Sequence, residues 1–159
     1  MASAELLKNV YLFRGANPDD FAALATIVEF KDFLSGDSVF GAGDPADAMF
    51  YIAMGTVEIV KPGTGNVFAT LGTGQTVGEV AFFYGGKRVG AAAARERTRV
   101  LRIPFGRLST LLTERPGLAL VVYRNASAFL AKQLRQLALE INHRYFCGAA
   151  GKVAHDVAD

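Results

Sequence analysis

Residues 71–94 read LGTGQTVGEVAFFYGGKRVGAAAA, and the interpretation of the whole chain depends on this stretch. Between two strand-like runs, the segment Glu79–Tyr84 shows no alternation of polar and apolar residues and fits one short helical turn. Gly85 and Gly86 can end that turn, because glycine readily adopts the left-handed conformation that closes a helix. A helical turn inserted between strands is unusual, so this segment is the first candidate for a functional site.

The surrounding sequence, from about residue 28 to 103, has the texture of an all-β domain. Short runs of β-branched and aromatic residues are separated by glycine-rich turns every 7–12 residues or so, which is typical of a sandwich or barrel. Strands are expected near residues 28–34, 37–40, 48–53, 56–61, 66–71, 75–78, 88–94 and 97–103. These eight strands predict a β-roll, a double-stranded β-helix of the jelly-roll type.

Helices are expected on both sides of the roll. Residues 3–9 fit a short helix, and Asn17–Asp20 starts a second one with a capping asparagine, a proline and two acidic residues. After Pro104, residues 105–113 and 117–145 fit a helix pair. The last helix carries an apolar stripe, expected to pack on the roll unless a partner covers it: Leu130, Leu134, Leu137 and Ile141.

Residues 1–146 are therefore predicted to form one domain, with a disordered tail over 147–159.

Composition excludes several classes of function. The chain has 159 residues, 51% of them hydrophobic, and a formal charge of only +2. One cysteine, Cys147, fits a reducing compartment and rules out an internal disulfide framework. With two histidines and no catalytic triad or paired carboxylates, we expect no enzyme activity, metal or cofactor. The apolar runs are too short to cross a bilayer, so a cytoplasmic protein without a membrane partner is expected.

The residues around the helical turn could bind an anion. Gly78 permits an unusual backbone just before the turn, and the first N–H groups of the turn would point to one spot. Arg88, nine residues after Glu79 and placed on the next strand, could add a guanidinium fork for a phosphate. Glu79 could accept hydrogen bonds from sugar hydroxyls. Alternatively, Glu79 and Arg88 could form a simple salt bridge at the rim of the roll.

This segment resembles the phosphate-binding cassette of the cyclic nucleotide-binding domain family. Gly78-Glu79-Val80-Ala81-Phe82 matches the start of the cassette, and Arg88 falls at the family spacing. Upstream, the turn Gly41–Asp47 and the strand after it resemble the corresponding family segment. The resemblance covers about residues 6–140.

The resemblance implies roles for individual residues. Glu79 would bind the ribose 2′-hydroxyl and Arg88 the cyclic phosphate. Backbone N–H groups at Val80 and Ala81, and at Val89 or Gly90, would complete the site.

Around Arg88, which matches the family pattern, the cassette departs from that pattern at Lys87, Val89, Gly90 and Ala91. Lys87 replaces a proline, and Val89 replaces an alanine and could narrow the pocket. Gly90 and Ala91 carry no hydroxyl of the kind that favours guanine in this family, so cAMP is expected in preference to cGMP.

The resulting hypothesis is a regulatory sensor that binds a cyclic mononucleotide and signals through movement of the helices after residue 104. A homodimer or a separate effector protein is the expected partner. DNA binding is not expected, because the chain ends before a helix-turn-helix could follow. The alternative is a protein-interaction module whose roll is retained while its pocket no longer binds nucleotide.

Overall fold

The computed structural model describes residues 2–153, and the side chains of residues 3–142 among them. In chain order the strands are β1 (Glu29–Phe33), β2 (Ser38–Phe40), β3 (Ala48–Met54), β4 (Thr56–Val60), β5 (Val67–Gly72), β6 (Thr76–Val77), β7 (Ala91–Ala94) and β8 (Thr98–Pro104). They form two four-stranded antiparallel sheets, in the orders β1-β8-β3-β6 and β2-β7-β4-β5. The predicted β-roll is confirmed.

One apolar core joins the two sheets, and β3 is central to it. Alternate residues of β3, namely Ala48, Phe50 and Ile52, are almost fully buried and belong to the same cluster as Val57 of β4 and Val100 of β8. Met49 and Tyr51, whose side chains point to the opposite face, are buried as well, so β3 is covered on both faces, as expected of a central strand.

The turn between β3 and β4 brings the backbone very close to β8. Gly55 has φ +97°, and a Cβ built there would lie 2.5 Å from Thr98 Oγ1 and 2.7 Å from the Arg97 carbonyl oxygen. The Thr98 hydroxyl also accepts a hydrogen bond from the Thr56 amide at 3.2 Å. Only glycine fits this position, because any side chain would collide with backbone as well as adopt a strained conformation.

The helices flank the roll as expected. They are α1 (Ala2–Leu7), α2 (Pro18–Ile27), α3 (Val80–Tyr84), α4 (Phe105–Glu114) and α5 (Pro116–Val153), with a 3₁₀ turn over Tyr11–Phe13. The predicted cap of α2 is confirmed, since the Asn17 side chain accepts a 2.8 Å hydrogen bond from the Asp20 amide. The carboxylate of Asp20 is almost buried and pairs with Arg115, just after α4, at 2.9 Å.

The C-terminal part differs from the prediction. The structure divides into two compact units, Met1–Val122 and Tyr123–Asp159, and the described part of the second is helical. Helix α5 continues to Val153, so the tail expected to begin at residue 147 is helical as far as that residue; residues 154–159 lie outside the described range.

The apolar stripe of α5 lies in the second unit, and its packing on the roll stays a prediction. Leu130, Leu134, Leu137 and Ile141 expose 44%, 68%, 54% and 47% of their surface. Among residues 2–153 no helix combines the length and apolarity that crossing a bilayer requires.

Replacing Gly55 by alanine tests the close approach of the β3–β4 turn to β8. Gly74→Ala is the matched control, because Gly74 has φ +90° but nothing within 4 Å of a Cβ built there. Both variants strain the backbone, whereas only Gly55→Ala also collides with a neighbouring strand. We expect Gly55→Ala to lower the free energy of unfolding in urea by about 1–3 kcal/mol more than Gly74→Ala does. Equal losses would contradict the packing described for this turn.

Candidate anion-binding site

A cavity of about 320 Å³ opens beside α3 in the first unit. Every residue that the sequence predicts for the site lines it except Glu79. The lining consists of Phe40, Ile59, Val77, Gly78, Val80, Ala81, Tyr84, Gly85, Gly86, Lys87, Arg88, Val89 and Gly90. The walls are mostly apolar or backbone, and Lys87 and Arg88 are the ionisable groups of this lining whose side chains are cationic.

The backbone of Arg88 is held by a turn, not by a strand. The prediction that Arg88 lies on a strand is wrong, because β7 begins three residues later, at Ala91. Arg88 instead donates its amide to the Asp44 carbonyl at 2.9 Å and accepts from the Gly43 amide at 2.8 Å. The Asp44 carboxylate closes the turn by accepting from the Gly41 amide at 2.7 Å. The glycine-rich segment before β3 therefore fixes where Arg88 stands.

The side chain of Arg88 is buried and only partly paired. Its surface is 6% exposed, and its guanidinium donates to the carbonyl oxygens of Gly78, at 3.2 Å, and of Ala48. Its Nε is buried without a hydrogen-bond partner, and no carboxylate of the described residues forms an ion pair with it. Burial lowers the pKa of Arg88, and the charges of Asp47 and Asp44 act in the opposite direction.

A buried cation without a carboxylate partner is costly, and an incoming anion would relieve that cost. The guanidinium also has in-plane donors to offer, which suit a phosphate better than a single point charge would. The arrangement is therefore that of a receptor for a small anion.

Gly78 allows the cassette backbone to reach the guanidinium. Its φ is +84°, and a Cβ built there would lie 2.6 Å from Nη1 of Arg88. Helix α3 starts two residues later, and Gly85, at φ +79°, ends it by donating to the Ala81 carbonyl at 2.9 Å. The predicted helical turn closed by glycine is confirmed, and its residues Val80 and Ala81 reach the cavity wall.

Glu79 lies apart from the cavity lining. Burial raises the pKa of the Glu79 carboxyl, and a hydrogen bond from its own backbone amide acts against that rise. Glu79 in turn interacts with Tyr11, where burial first and the Glu79 charge second raise the pKa of the phenol. The structure therefore does not bring the Glu79 carboxylate together with Arg88. The alternative of a rim salt bridge between Glu79 and Arg88 is wrong for this conformation.

Aromatic residues that the sequence analysis did not assign to the site surround Arg88. The ring centroid of Phe40 lies 4.2 Å from Cζ of Arg88, and the centroids of Phe50 and Phe105 lie 6.0 and 5.9 Å from the same atom. Phe105 begins α4 and its ring centroid is 5.2 Å from that of Phe82 in α3. The anion site is thus in contact with the first turn of α4.

A β-roll that holds a buried, incompletely paired arginine beside a single helical turn is a domain built to bind a small anionic ligand. The chain belongs to the cyclic nucleotide-binding domain family, whose profile matches residues 30–115.

Comparison with individual proteins agrees with this assignment. A CRP-like cAMP-activated global transcriptional regulator from Mycobacterium tuberculosis is 27% identical over an alignment of 175 positions, which covers 96% of this chain and 77% of that protein. The crystal structure of the Thermus thermophilus catabolite activator protein superposes with a TM-score of 0.70 at 27% identity, covering 86% of this chain and 63% of that one. The N-terminal domain of a Streptomyces coelicolor transcriptional regulator gives 0.72 at 25% identity, covering 80% and 94%.

The chain is thus a cyclic nucleotide-binding regulatory domain, homologous to cAMP receptor proteins. Its family is regulatory rather than catalytic. Within the described residues, no three side chains of His, Cys, Asp or Glu come together as metal ligands.

The pH dependence of stability tests the buried position of Glu79. Because the pKa of Glu79 is raised in the folded chain, the folded state holds this proton more tightly than the unfolded state does. Ionisation of Glu79 should therefore lower the free energy of unfolding as the pH rises above the unfolded value of about 4.3. We expect the parent to lose stability relative to Glu79→Gln as the pH rises above about 4.3, measured by urea unfolding at a series of pH values. All other titrating groups are shared by the two proteins, so a difference that does not vary with pH would contradict the burial of this carboxyl.

Proposed function

We propose that the chain is a sensor that binds a cyclic mononucleotide in the cavity beside Arg88, with cAMP preferred over cGMP. The observation that carries the proposal is the buried guanidinium of Arg88, which has no carboxylate partner among the described residues and an unpaired Nε. A cyclic phosphate supplies the missing negative charge in a geometry that a guanidinium favours.

The proposed ligand contacts follow from the cavity lining and from the family assignment. The cyclic phosphate would be bound by Arg88 and by backbone N–H groups of Val80 and Ala81, and of Val89 or Gly90. These residues line the cavity. The ribose 2′-hydroxyl would be bound by Glu79. Its neighbours on both sides line the cavity, and this role requires the Glu79 carboxylate to move into it.

The preference for cAMP rests on the wall beside Arg88. Gly90 lines the cavity, and neither Gly90 nor the adjacent Ala91 carries a hydroxyl that could bind the exocyclic groups of guanine. A largely apolar cavity with few placed polar groups suits a purine that is bound mainly by burial.

The proposed signal leaves the site through α3 and α4. The ring contact between Phe82 and Phe105 joins the cassette helix directly to the start of α4. A nucleotide that draws α3 toward Arg88 would therefore change the packing of Phe105. It shifts the equilibrium only as far as it binds the closed arrangement more tightly than the open one.

One rival function has observations in its favour. The arginine donors are already bonded to two backbone carbonyls, Glu79 does not line the cavity, and Val89 is 90% exposed there. These features also fit an interaction module that keeps the roll and has lost the nucleotide. Calorimetric titration with cAMP and cGMP separates the two functions, since no heat with either ligand at millimolar concentration would favour the rival.

Substitution of Arg88 tests the site itself. We expect Arg88→Ala to weaken cAMP binding by about 2–4 kcal/mol, because the phosphate loses a charge-assisted fork. That corresponds to a rise in Kd of about 30- to 1000-fold, measured by calorimetry. Arg107→Ala, which removes an equal charge from an exposed position of α4, should leave the Kd within about threefold of the parent value. Unchanged affinity in Arg88→Ala would show that the nucleotide binds elsewhere.

The exposed stripe of α5 supports a homodimer as the form in which the sensor acts, with a separate effector protein as the other expected partner. Its four apolar residues are spaced as core positions of two successive heptads, and each exposes at least 44% of its surface. A second copy of the same helix would bury them. The proposal includes no catalysis, no metal and no DNA contact, and a cytoplasmic location stays a prediction from the single cysteine.

A charge placed on the stripe tests the dimer. We expect Leu134→Glu to convert dimer to monomer in sedimentation velocity runs, because two carboxylates would face each other across an apolar seam. Gln136→Glu adds the same charge two residues away, off the stripe, and should leave the dimer intact. A monomeric parent would refute the homodimer and leave the separate effector as the partner to seek.

A further inference from the structure

We propose that Phe40 is a positioning residue of the anion site, whose ring holds the guanidinium of Arg88 in the plane in which it receives the ligand phosphate. The proposal deepens the proposed function and, as a statement about ligand affinity, rests on it. It concerns a residue that the family resemblance does not single out.

The distances identify Phe40 as the ring that matters. Cζ of Arg88 lies 4.2 Å from the centroid of Phe40, whereas Phe50 and Phe105 are at 6.0 and 5.9 Å, the outer limit of a useful cation–π contact. Phe40 is itself steadied by Phe50, since the two rings are stacked with centroids 6.1 Å apart and planes 25° apart. The guanidinium therefore rests against a ring that is packed into the core.

The ring and a phosphate would use different parts of the guanidinium. A cation–π contact uses a flat face, whereas all the N–H donors lie in the guanidinium plane. Two of these donors are bonded to the carbonyl oxygens of Gly78 and Ala48, and Nε–H has no acceptor. The ring therefore does not compete with the ligand, and it helps to hold the remaining donors in place.

The same short segment also holds the backbone of Arg88. Phe40 ends β2 and is followed at once by the turn in which Gly43 and Asp44 hydrogen-bond the Arg88 backbone. Residues 40–44 thus fix the arginine at both its main chain and its charged end. A long side chain that is fixed at both ends loses little further conformational freedom when the ligand binds. If the ring were removed, a smaller fraction of the protein would hold Arg88 in the binding conformation, and the affinity would fall in proportion to that fraction.

Substitutions at position 40 can separate positioning from packing. Phe40→Leu removes the ring face, whereas Phe40→Tyr keeps it. Phe33→Leu is the matched control, because Phe33 is also half-buried, packs against the same core cluster and has no cation–π contact with Arg88 among the described residues. We expect Phe40→Leu to raise the Kd for cAMP by about 3- to 30-fold, and Phe40→Tyr and Phe33→Leu to change it by less than about threefold.

Fluorination gives a readout that a purely structural role would not move. Phe40 replaced by mono-, di- and trifluorophenylalanine keeps nearly the same shape while its face becomes progressively less negative. The logarithm of the Kd for cAMP should rise stepwise along this series, and the same series at Phe33 should give no trend. A flat series at Phe40, or equal effects of Phe40→Leu and Phe33→Leu, would overturn the proposal while leaving the nucleotide site intact.

A nucleotide-free measurement keeps the two proposals distinguishable. In a double-mutant cycle, Phe40→Leu, Arg88→Met and the double variant are compared by urea unfolding without ligand. If the ring holds the guanidinium, the double variant should lose less stability than the sum of the single losses. If the parent binds neither cyclic nucleotide, the proposed function fails and the cycle alone decides on Phe40: additive losses reject the clamp, and non-additive losses support it.

Discussion

The structure of the site depends on one unsatisfied charge. The guanidinium of Arg88 is almost fully removed from water, yet it meets two carbonyl oxygens and an aromatic face instead of a carboxylate. Partners of this kind reduce the cost of burying a cation without neutralising it. The residues around it serve that arrangement: the turn at Gly43 and Asp44 holds its backbone, and Gly78 leaves room for its end.

The short helix α3 lies between the site of Arg88 and helix α4. It is bounded by Gly78 and Gly85, both at positive φ, so its ends are conformations that few other residues adopt easily. Its ring contact to Phe105 is the point at which the site meets α4. A one-turn helix between two glycines is a segment that can move as a unit. Its residues Val80 and Ala81 line the same cavity as Arg88, the cation that would attract an anion.

Much of the fold follows from the sequence because its signals are local. Glycine turns at regular spacing delimit the strands, and Asn17 with Pro18 marks the start of α2 where the structure has it. The sequence predicts that β7 begins at Arg88, three residues too early, because the small and apolar residues that follow Arg88 are typical of a strand. That segment instead pairs with a turn more than forty residues upstream, as the hydrogen bonds of Arg88 to Gly43 and Asp44 show.

The sequence predicts which residues belong to the site better than it predicts how their side chains are arranged. Gly78, Val80, Ala81, Arg88, Val89 and Gly90 line one cavity, as the motif indicates, but the motif says nothing of the rotamer of Glu79. Nor does it indicate Phe40, because the proposed role of Phe40 depends on its 4.2 Å distance from a residue 48 positions later in the chain. The available signal was an aromatic residue immediately before a glycine-rich turn. The exposure of the α5 stripe was equally out of reach, since periodicity defines an apolar face without saying what covers it.

The ion pair between Asp20 and Arg115 has a mechanical consequence. Asp20 is 5% exposed at the start of α2, and Arg115 follows the last turn of α4. If α4 tilted away from α2, this ion pair would break, at a cost of about 1–3 kcal/mol, between that of an exposed and of a fully buried pair, because the Arg115 side chain is 38% exposed. The ion pair therefore couples α2 to α4, which are distant in sequence. A movement of α4 that keeps the pair intact must also displace α2.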